Sequence, residues 1–413
     1  MKILFVSHYF PPEVNAPASR VHRLAQEWVA AGHEVTVVTG FAHHPHGIKA
    51  HEDRFVLTRR ERKDGIDVVR CYVYATANRG SARRMLSYAS FMASAAVIGT
   101  LRGGSPDVVI ATSPQLLCGL AGYLVARAKR VPFVFEVRDL WPETIIAVDA
   151  MESESVVIRG LRRLARFLYR HANHIVPVGE GYRQSIHELY NIPLEKMSIV
   201  HNGVDMGVFE PGPRDNDVRR QYGWRDKFVL MYIGTHGMCH GLHRALELAR
   251  CFEDDPSKHF VFVGDGAEKP SLCAQAGDWE LRNVEFIDQQ PREKIAEFYA
   301  ACDAGLVCLR ASDRFQEVLP SKIFEYLGME RPILLSVGGE ARKLVEAAGA
   351  GICVAPEDVE GMADGLRRLA DDPEGRRAMG RRGRQYVQAH FDRKQLAHRY
   401  LGILQEVTDE YGA

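Results

Sequence analysis

Apolar runs and amphipathic stretches alternate along most of the chain. The run KILFVS, which starts at Lys2, has the continuous apolar character of a buried strand. It is followed by ASRVHRLAQEWVAAGH, whose apolar residues recur at helical spacing. This alternation predicts a parallel sheet with helices on both faces. Further strands are predicted at EVTVVTG, DVVIATS, PFVFEVRD, HIVPVGE and MSIVHNG, and an irregular hairpin region at residues 55–75.

The pattern stops at PGPRDND, residues 211–217, and then begins again. This stretch is polar and rich in turn-forming residues, so it marks a break between two domains. A chain of 413 residues also exceeds what one hydrophobic core usually organises. After the break, strands alternating with helices are predicted at KFVLMYIGT, FVFVGDG, NVEFID, AGLVCLR, PILLSV and GICVAP.

Two doubly wound α/β domains are therefore the predicted fold class. We place the first domain at residues 1–205 and the second at 206–384, and we expect the terminal helix within 385–413 to pack back on the first. Ligands of such sheets bind outside the carboxyl ends of the strands. Small-molecule chemistry is thus expected in a cleft between the two domains.

Positive and negative side chains are unevenly divided, although the formal net charge is zero. Residues 1–190 contain 24 Lys and Arg against 17 Asp and Glu, whereas residues 191–413 contain 29 against 36. A protein that binds nucleic acid along its whole length needs a basic total, so this class is excluded. A basic first half instead favours contact with an anionic membrane surface or an anionic acceptor.

The cysteines and the amino terminus indicate a compartment. The eight cysteines are scattered and form no CxxC pair, which predicts buried thiols in a reducing cytosol. The start MKILFVSHYF has too short an apolar run for a signal peptide, so we expect the chain not to be exported. No stretch is long and apolar enough to predict a membrane-spanning segment.

Common cofactor motifs are absent from the sequence. The loop after the first strand, SHYFPPEVNAPASR, contains no glycine, which argues against a dinucleotide site of the GxGxxG type. The chain has no GxxxxGK[ST] and no convincing metal-ligand spacing, and we interpret HHPH, residues 43–46, as a polar loop. We therefore expect neither a metal nor another cofactor.

Two glycine-containing loops of the second domain favour a nucleotide. The loop YIGTHGMCHG contains Gly234, Gly237 and Gly241, and FVGDGAEK contains Gly264 and Gly266. Glycines at such turns allow backbone amides at a helix N-terminus to approach a phosphate. Each loop alone is a weak signal, because tight turns also need glycine. Two successive loops on one edge of a sheet favour a nucleotide site.

The stretch EVLPSKIFEY carries two glutamates eight positions apart, Glu317 and Glu325. Its centre is typical of a helix start, with Ser321 at or beside the N-cap and Glu325 in about the first turn. A carboxylate accepts hydrogen bonds from two hydroxyls, so Glu325 suits a ribose and Glu317 a sugar. The first amides of the helix and Lys322 would offset a diphosphate. The alternative is two solvated glutamates beside a capped helix.

These motifs resemble those of the GT-B retaining glycosyltransferases of family 4, over essentially the whole chain. EVLPSKIFE is similar to the E-x7-E motif of that family, SIVHNGVDMGVFEP to its inter-domain signature, and FVFVGDGAEK to its second phosphate-side strand. The segments YFPPE, EVRDLWPETI, YIGTHGM and LPSKIFEYL resemble the WbuB-like branch of N-acetylfucosaminyl transferases. The resemblance implies two Rossmann-like domains and a UDP-sugar donor.

The resemblance also implies roles for individual residues. Glu325 would bind the ribose and Glu317 the transferred sugar, while the backbone around Ile287 and Asp288 would meet the uracil. Arg138 and Asp139 would face the acceptor or the sugar from the first domain, and with Glu317 they form the expected catalytic set. The diphosphate would lie near the amides of four residues at the helix start: Leu319, Pro320, Ser321 and Lys322.

The chain departs from the common family pattern at the phosphate site. An arginine and a lysine usually follow the first strand of the second domain, and here Thr235 and His240 stand in those places. Titration of His240 near neutral pH would make donor binding pH-sensitive. Candidate donor-binding residues of this region are Gly234, Thr235, Gly264, His236, His240, Lys322 and Arg310.

The first domain departs from the family pattern as well. The usual glycine of the first loop is replaced near Asn15, and the usual histidine after ATS is absent, where the chain has Ser113. We take Asn15 and Ser113 as acceptor-side residues. The resemblance implies retention at the sugar carbon, with a donor phosphate oxygen taking the acceptor proton. Electrostatic stabilisation of the leaving diphosphate would then be the main task of the protein, without a metal.

Two basic stretches of the first domain favour a lipid-linked acceptor. Residues 68–106 and 155–179 each contain five arginines and no acid. Within the second stretch, RGLRRLARFLYR has the composition of a helix that lies on anionic lipid. The expected membrane-facing residues are Arg162, Arg163 and Arg166. The open alternative is a helix packed on its own sheet, with its arginines in water.

The sequence thus indicates a hexosyltransferase of surface polysaccharide or lipopolysaccharide biosynthesis. It would move an N-acetylated hexosamine or deoxyhexosamine from a UDP-sugar to a polyprenyl-diphosphate-linked acceptor. We expect it to be cytoplasmic and peripheral at the inner face of the membrane. The alternatives are transfer to a soluble small-molecule acceptor and a UDP-sugar 2-epimerase of the same architecture. The E-x7-E spacing and HNGVD favour the transferase.

Overall fold

Each half of the alternating pattern forms its own sheet. The computed structural model describes residues 1–13, 15–43, 47–75, 81–147, 155–312 and 315–412, so that His44 and His46 of HHPH lie outside the described residues. The N-terminal unit consists of Met1–His201 with Arg393–Ala413, and the C-terminal unit of Asn202–Asp392.

The unit boundaries differ by a few residues from the domain boundaries that the sequence predicts. The predicted boundary after residue 205 is replaced by one after residue 201, because Val204 donates its backbone N–H to the carbonyl of Phe391 and so joins the C-terminal unit. Residue 385 lies inside a helix of that unit. The returning segment therefore begins at Arg393.

The sheet of the N-terminal unit has seven strands in the order β3-β4-β2-β1-β5-β6-β7. Strand β3 is the antiparallel edge, paired with β4 through a turn at Asp64 and Gly65, both with positive φ. The predicted strand MSIVHNG is wrong, since Met197 makes only an isolated bridge with Ile175. The strands are β1 (Lys2–Val6), β2 (Glu34–Gly40), β3 (Thr58–Lys63), β4 (Ile66–Cys71), β5 (Val108–Thr112), β6 (Phe133–Val137) and β7 (His174–Pro177).

The sheet of the C-terminal unit has six parallel strands in the order β10-β9-β8-β11-β12-β13. All six strands predicted for this half are present. The strand order reverses between β8 and β11, and in the other unit between β1 and β5, which are the positions where open α/β sheets bind ligands. The strands are β8 (Phe228–Ile233), β9 (Lys258–Val263), β10 (Val284–Ile287), β11 (Ala304–Cys308), β12 (Ile333–Ser336) and β13 (Gly351–Cys353).

Helices connect most of the parallel strands. They are α1 (Ala16–Ala30), α2 (Ser81–Arg102), α3 (Leu116–Lys129), α4 (Glu143–Ala147), α5 (Val156–His171), α6 (Glu180–Tyr190), α7 (Asp217–Tyr222), α8 (Leu242–Arg250), α9 (Lys269–Asp278), α10 (Arg292–Ala301), α11 (Ser321–Gly328), α12 (Gly339–Ala348), α13 (Val359–Asp371), α14 (Pro373–His390) and α15 (Arg393–Gly412).

Two apolar layers cover the faces of the N-terminal sheet. One layer contains buried residues of α2, α3, α5 and α6, and the other contains residues of α1 and the terminal helix α15. Trp28 of α1 is fully buried in the second layer and donates its indole N–H to the carbonyl of Ala397 at 3.0 Å. Asn15 caps helix α1, because its side chain accepts a hydrogen bond from the N–H of Ala18. The terminal helix therefore belongs to the N-terminal unit.

The turns after β8 and β9 approach each other at backbone contact distance. Gly234 and Gly264 have φ of +141° and +143°, a region that side chains rarely adopt. A Cβ added at Gly264 would lie 2.0 Å from the carbonyl oxygen of Gly234. Glycine at 264 is thus required by the packing of the two turns, and not only by an approaching phosphate.

We expect Gly264→Ala to lower the free energy of unfolding by roughly 3 kcal/mol, because it adds both an unfavourable φ and a collision with backbone. Denaturant unfolding of the variant and the parent measures this difference. The control is Gly277→Ala in α9, where a Cβ meets nothing within 4 Å. Equal stability of the Gly264 variant and the control would contradict the packing role.

Candidate functional site

The carboxyl ends of β8 and β9 meet the start of α11 around a buried ammonium group. Lys322, the second residue of α11, is buried, and its Nζ lies 3.5 Å from the centre of the Tyr232 ring. No described residue accepts a hydrogen bond from this Nζ. It lies 3.1 Å from where a Cβ on Gly234 would be, so a side chain at position 234 would crowd the ammonium group. Burial lowers the pKa of Lys322 to about 8.

Two histidines of the β8–α8 loop lie close to this ammonium group. Burial, followed by Lys269 and Lys322, lowers the pKa of His236 to about 4. Burial, followed by Lys322, lowers the pKa of His240 well below its usual value. Both rings are therefore neutral at pH 7. The expectation that His240 titrates near neutral pH is wrong, and Lys322 is a buried cation that lies close to both rings.

The two glutamates of EVLPSKIFEY lie on either side of the helix start. Helix α11 begins at Ser321, with Pro320 as the N-cap, so Glu317 lies in the preceding loop. Glu325 is the fifth residue of α11, at the start of its second turn, close to the position that the sequence predicts. Tyr299 of α10 is buried and donates its hydroxyl to Glu325 Oε2 at 2.5 Å. This contact orients the carboxylate, and no sequence signal indicates it.

The other residues expected to bind the donor differ in their exposure and in their hydrogen bonds. Thr235 is exposed, and its carbonyl accepts a hydrogen bond from the Tyr232 hydroxyl at 2.7 Å. The carbonyl of Ile287 accepts from the N–H of Gly264, so one of the backbone groups expected to meet the uracil is already engaged. Arg310 is exposed, with its backbone N–H donated to the carbonyl of Cys239. Half-buried residues at the start of α11 are Leu319, Pro320 and Ser321.

In the N-terminal unit, the loop after β6 presents an arginine whose guanidinium is only partly satisfied. Nε and Nη1 of Arg138 are buried, and no described residue accepts a hydrogen bond from them. Burial lowers the pKa of Arg138 to about 10, a shift that nearby Glu136 opposes. Glu136 itself is fully buried and pairs with Arg20 of α1 at 3.0 Å. The buried ion pair of Glu136 and Arg20 thus lies next to the loop that carries Arg138.

Asp139 and Ser113 are engaged in holding that loop. The Asp139 carboxylate accepts a hydrogen bond from the Thr144 hydroxyl, and burial raises its pKa. Ser113 is buried, and its Oγ accepts from the backbone N–H groups of Arg138 and Asp139 at 2.8 and 3.2 Å. Ser113 therefore holds the backbone at Arg138, and Asp139 ties the loop to Thr144. Asn15, the other expected acceptor-side residue, is half-buried at the N-cap of α1.

An aromatic cluster after β1 was not expected from the sequence. His8 is buried, and its ring packs edge-on against Tyr9, His43 and Tyr88, with centroids 4.7 to 5.5 Å apart. Tyr88 of α2 also packs against Trp141 at 6.1 Å. Burial raises the pKa of Tyr9 far above its usual value. The cluster follows β1, where the strand order of its sheet reverses. The spacing of its members in the sequence does not indicate that they meet.

Helix α5 carries the three arginines expected to face a membrane. Its apolar residues Leu161, Ala165 and Leu168 are buried in the core, so they do not form an exposed apolar face. Arg162 pairs with Glu143 at 2.9 Å, while Arg163 and Arg166 are exposed. The alternative interpretation, a helix packed on its own sheet, therefore describes α5.

Neither a metal site nor a disulfide emerges from the described part of the chain. Among the described residues, no group of three or more His, Cys, Asp or Glu is arranged to hold a metal ion. The eight cysteines are free, but only four of them are buried. No helix among the described residues is both long and apolar enough to cross a membrane. The expectation that no cofactor is needed stays a prediction.

Two doubly wound units, with E-x7-E at the carboxyl edge of one sheet, define a glycosyltransferase of the GT-B class. Residues 15–203 match the family described as Glycosyl transferase 4-like domain, and residues 215–386 match Glycosyl transferases group 1. The two matches extend over most of the chain. The protein therefore belongs to the GT-B glycosyltransferases of family 4.

Known proteins similar to the chain agree with this class. It is 26% identical to the glycosyltransferase WbjE of Pseudomonas aeruginosa, over 73% of this chain and 75% of that protein. It is 25% identical to WcaI of Escherichia coli K12, which is named for colanic acid biosynthesis, over 97% of this chain and 99% of that protein. Anabaena HepE, solved with UDP and glucose, superposes with a TM-score of 0.75 at 18% identity, over 98% and 100% of the two chains. At this level of identity, the similarity to HepE shows a shared fold only.

We expect Lys322→Met to stabilise the ligand-free protein near neutral pH by roughly 1–3 kcal/mol, since it removes a buried charge. The folded-state pKa of about 8 lies below the unfolded value of 10.5. The parent should therefore become more stable as the pH rises from about 8, whereas the variant should not.

Denaturant unfolding at several pH values measures both effects. Lys343→Met in α12 is the matched control, because that lysine is exposed and pairs with Glu340. A Lys322 variant less stable than the parent near neutral pH, with the same pH dependence, would show that the ammonium group is well accommodated without a ligand.

Proposed function

We propose that the protein is a retaining glycosyltransferase of surface polysaccharide assembly. It transfers an N-acetylated hexosamine or deoxyhexosamine from a UDP-sugar to a polyprenyl-diphosphate-linked acceptor. The observation that carries the proposal is Lys322, a buried cation beside the glycine turn after β8, for which no described residue is a hydrogen-bond partner. A buried charge is costly unless it is paired, and a diphosphate is an anion that would pair with it.

The remaining groups around Lys322 suit the other parts of a sugar nucleotide. The start of α11 offers backbone N–H groups to the diphosphate, with the positive end of the helix dipole behind them. Glu325, oriented by Tyr299, is placed to accept hydrogen bonds from ribose hydroxyls. Glu317, in the loop before α11, is assigned to the transferred sugar. The UDP in the HepE structure supports uridine as the nucleoside.

The reaction proposed here needs no protein nucleophile. The bond between the anomeric carbon and the donor phosphate oxygen breaks, and the acceptor oxygen bonds to the same face of that carbon. The acceptor hydroxyl proton passes to the leaving phosphate oxygen. Lys322 and the first amides of α11 stabilise the negative charge that develops on the leaving diphosphate.

The acceptor is assigned to the N-terminal unit. Arg138 offers two unsatisfied guanidinium N–H groups, which suit a phosphate or a sugar hydroxyl. The aromatic rings around His8 supply flat apolar surfaces for a sugar ring. The name of WcaI supports surface polysaccharide as the product. Within the family we assign the chain to the WbuB-like branch, acting in the cytoplasm at the inner face of the membrane.

The first test is thermal unfolding with UDP, GDP, ADP, UDP-N-acetylglucosamine and inorganic diphosphate, each with EDTA and with magnesium. UDP at about a hundred times its Kd should add roughly 2.7 kcal/mol to the free energy of unfolding. We expect UDP to stabilise the parent in EDTA. Lys322→Met should no longer be stabilised by UDP or by diphosphate. Glu325→Gln should still be stabilised by diphosphate, but UDP should stabilise it little more than diphosphate does.

Lys343→Met is the control and should respond as the parent does. A response to GDP or ADP that exceeds the response to UDP would change the donor but leave the class intact. If no nucleotide stabilises the parent, the donor-site assignment is wrong and EVLPSKIFEY is only a well-capped helix.

Donor binding should weaken as the pH rises through about 8, because the free protein loses the Lys322 proton there. Above that pH, binding an anion must take up a proton, so affinity should fall by up to about tenfold per pH unit. Calorimetric titration of UDP at a series of pH values measures the decline. His240→Gln should keep the profile of the parent. A decline centred near pH 6.5, and lost in His240→Gln, would mean that the histidine is the titrating group.

A further inference from the structure

Exposed large apolar side chains are concentrated in one region of the N-terminal unit. Among the described residues, seven of them lie between residues 48 and 101, whereas Met238 is the one recorded for the C-terminal unit. They include Phe55, 84% exposed, and Leu101, 76% exposed. Single exposed apolar residues are ordinary, but such a concentration marks an interaction surface.

Helix α2 presents a continuous part of this surface. Leu86, Val97 and Leu101 lie on one side of the helix at helical spacing, and all three are exposed. The opposite side is buried in the core through Phe91 and Ala95. Helix α2 is therefore apolar on two sides, of which its own unit covers only one. Helix α5, in contrast, buries the apolar side chains that lie between its arginines.

Contacts join this side of α2 to the edge of the sheet. Ser90 of α2 accepts a hydrogen bond from the N–H of Tyr74 at 2.8 Å. Two residues earlier, Tyr72 donates its N–H to the carbonyl of Leu57, just before the edge strand β3. The exposed residues Leu57 and Tyr74 are thus linked to α2 through this hydrogen-bonded segment, and Phe55 lies two residues before Leu57 in the chain. We call the surface formed by Phe55, Leu57, Tyr74, Leu86, Val97 and Leu101 the α2 face.

The charges beside the α2 face are mostly positive. Helix α2 contains no acid, and its exposed arginines lie at both ends, at Arg83, Arg84 and Arg102. The guanidinium of Arg54 lies over the ring of Phe55 at 5.4 Å. Glu52 is an exposed acid nearby, whereas Asp53 pairs with Arg59. Apolar side chains bordered by arginines match an acyl layer below anionic headgroups.

We propose that the α2 face rests on an anionic lipid bilayer. The apolar side chains enter the headgroup and acyl boundary, and the arginines at the ends of α2 contact anionic headgroups. This assigns membrane contact to α2 and the edge of the sheet, in place of the three arginines of α5. A helix lying in the membrane plane needs no membrane-spanning length.

The same helix leads from the proposed bilayer contact to the acceptor region. Tyr88, two residues after Leu86, packs in the aromatic cluster around His8 and against Trp141. A lipid-linked acceptor held at the bilayer would thus find its sugar next to these rings. In this respect the inference rests on the proposed function, because it names the surface that carries the lipid of the proposed acceptor.

The test is co-sedimentation of the full chain with vesicles of phosphatidylcholine alone and of equal parts of phosphatidylcholine and phosphatidylglycerol. We expect the parent to bind the anionic vesicles, and to bind less as salt rises. Val97→Glu with Leu101→Glu should bind about tenfold more weakly, because two carboxylates then face the anionic surface. Both positions are exposed, so the fold should tolerate the changes.

The matched control is Val156→Glu with Val157→Glu, which alters two exposed apolar residues at the start of α5. This control should bind as the parent does. Equal losses in both double variants, or no binding of the parent to anionic vesicles, would overturn the proposal. Self-association of the parent through the α2 face, without vesicle binding, would also overturn the proposal. Light scattering of the parent and of the Val97→Glu, Leu101→Glu variant would reveal it.

The response to UDP separates this proposal from the donor-site assignment. The α2 variant should keep the thermal stabilisation by UDP that the parent shows, which also confirms that it folds. Vesicle binding without any UDP response in the parent would reject the donor site alone. A normal UDP response without vesicle binding would reject the α2 face alone.

Discussion

A buried ammonium group without a hydrogen-bond partner is the constraint on which the C-terminal unit's site depends. Lys322 lies against Gly234 in the turn after β8, and Gly264 in the turn after β9 packs on the backbone of Gly234. The ring of Tyr232 supports the cation, but a ring offsets the cost of burial only in part. Glu325, one turn further along α11, is held by Tyr299 instead. A buried cation of this kind suits the anionic donor that we propose.

In the proposed donor site, Lys322 takes the place of the loop cations that are usual in the family. The loop after β8 carries Thr235 and His240 in their places, and burial keeps His240 and His236 neutral. In the proposed site, the positive charge comes from a helix start instead of a loop. This position keeps the ammonium group at the end of the helix that also offers its amides. A lysine buried in this way titrates close to physiological pH, which an arginine would not do.

The two basic stretches show how far composition can guide an interpretation. Each contains five arginines and no acid, and both contain many apolar residues. In α5 the apolar residues between the arginines pack on the sheet, whereas α2 has apolar residues left over for a second side. Helical spacing is the same whether the facing surface is a sheet or a bilayer. Only the packed neighbours distinguish these two cases.

The sequence by itself determined the two sheets, eleven of twelve strands named from apolar runs, and E-x7-E, because these depend on local periodicity and spacing. The exception, MSIVHNG, has strand composition but only one bridge partner. Tertiary structure decided what depends on contacts between distant residues: the hydrogen bond from Tyr299 to Glu325, the burial that shifts the pKa of Lys322, and the rings around His8. Burial and pairing are properties of the packed chain, and sequence spacing does not specify them.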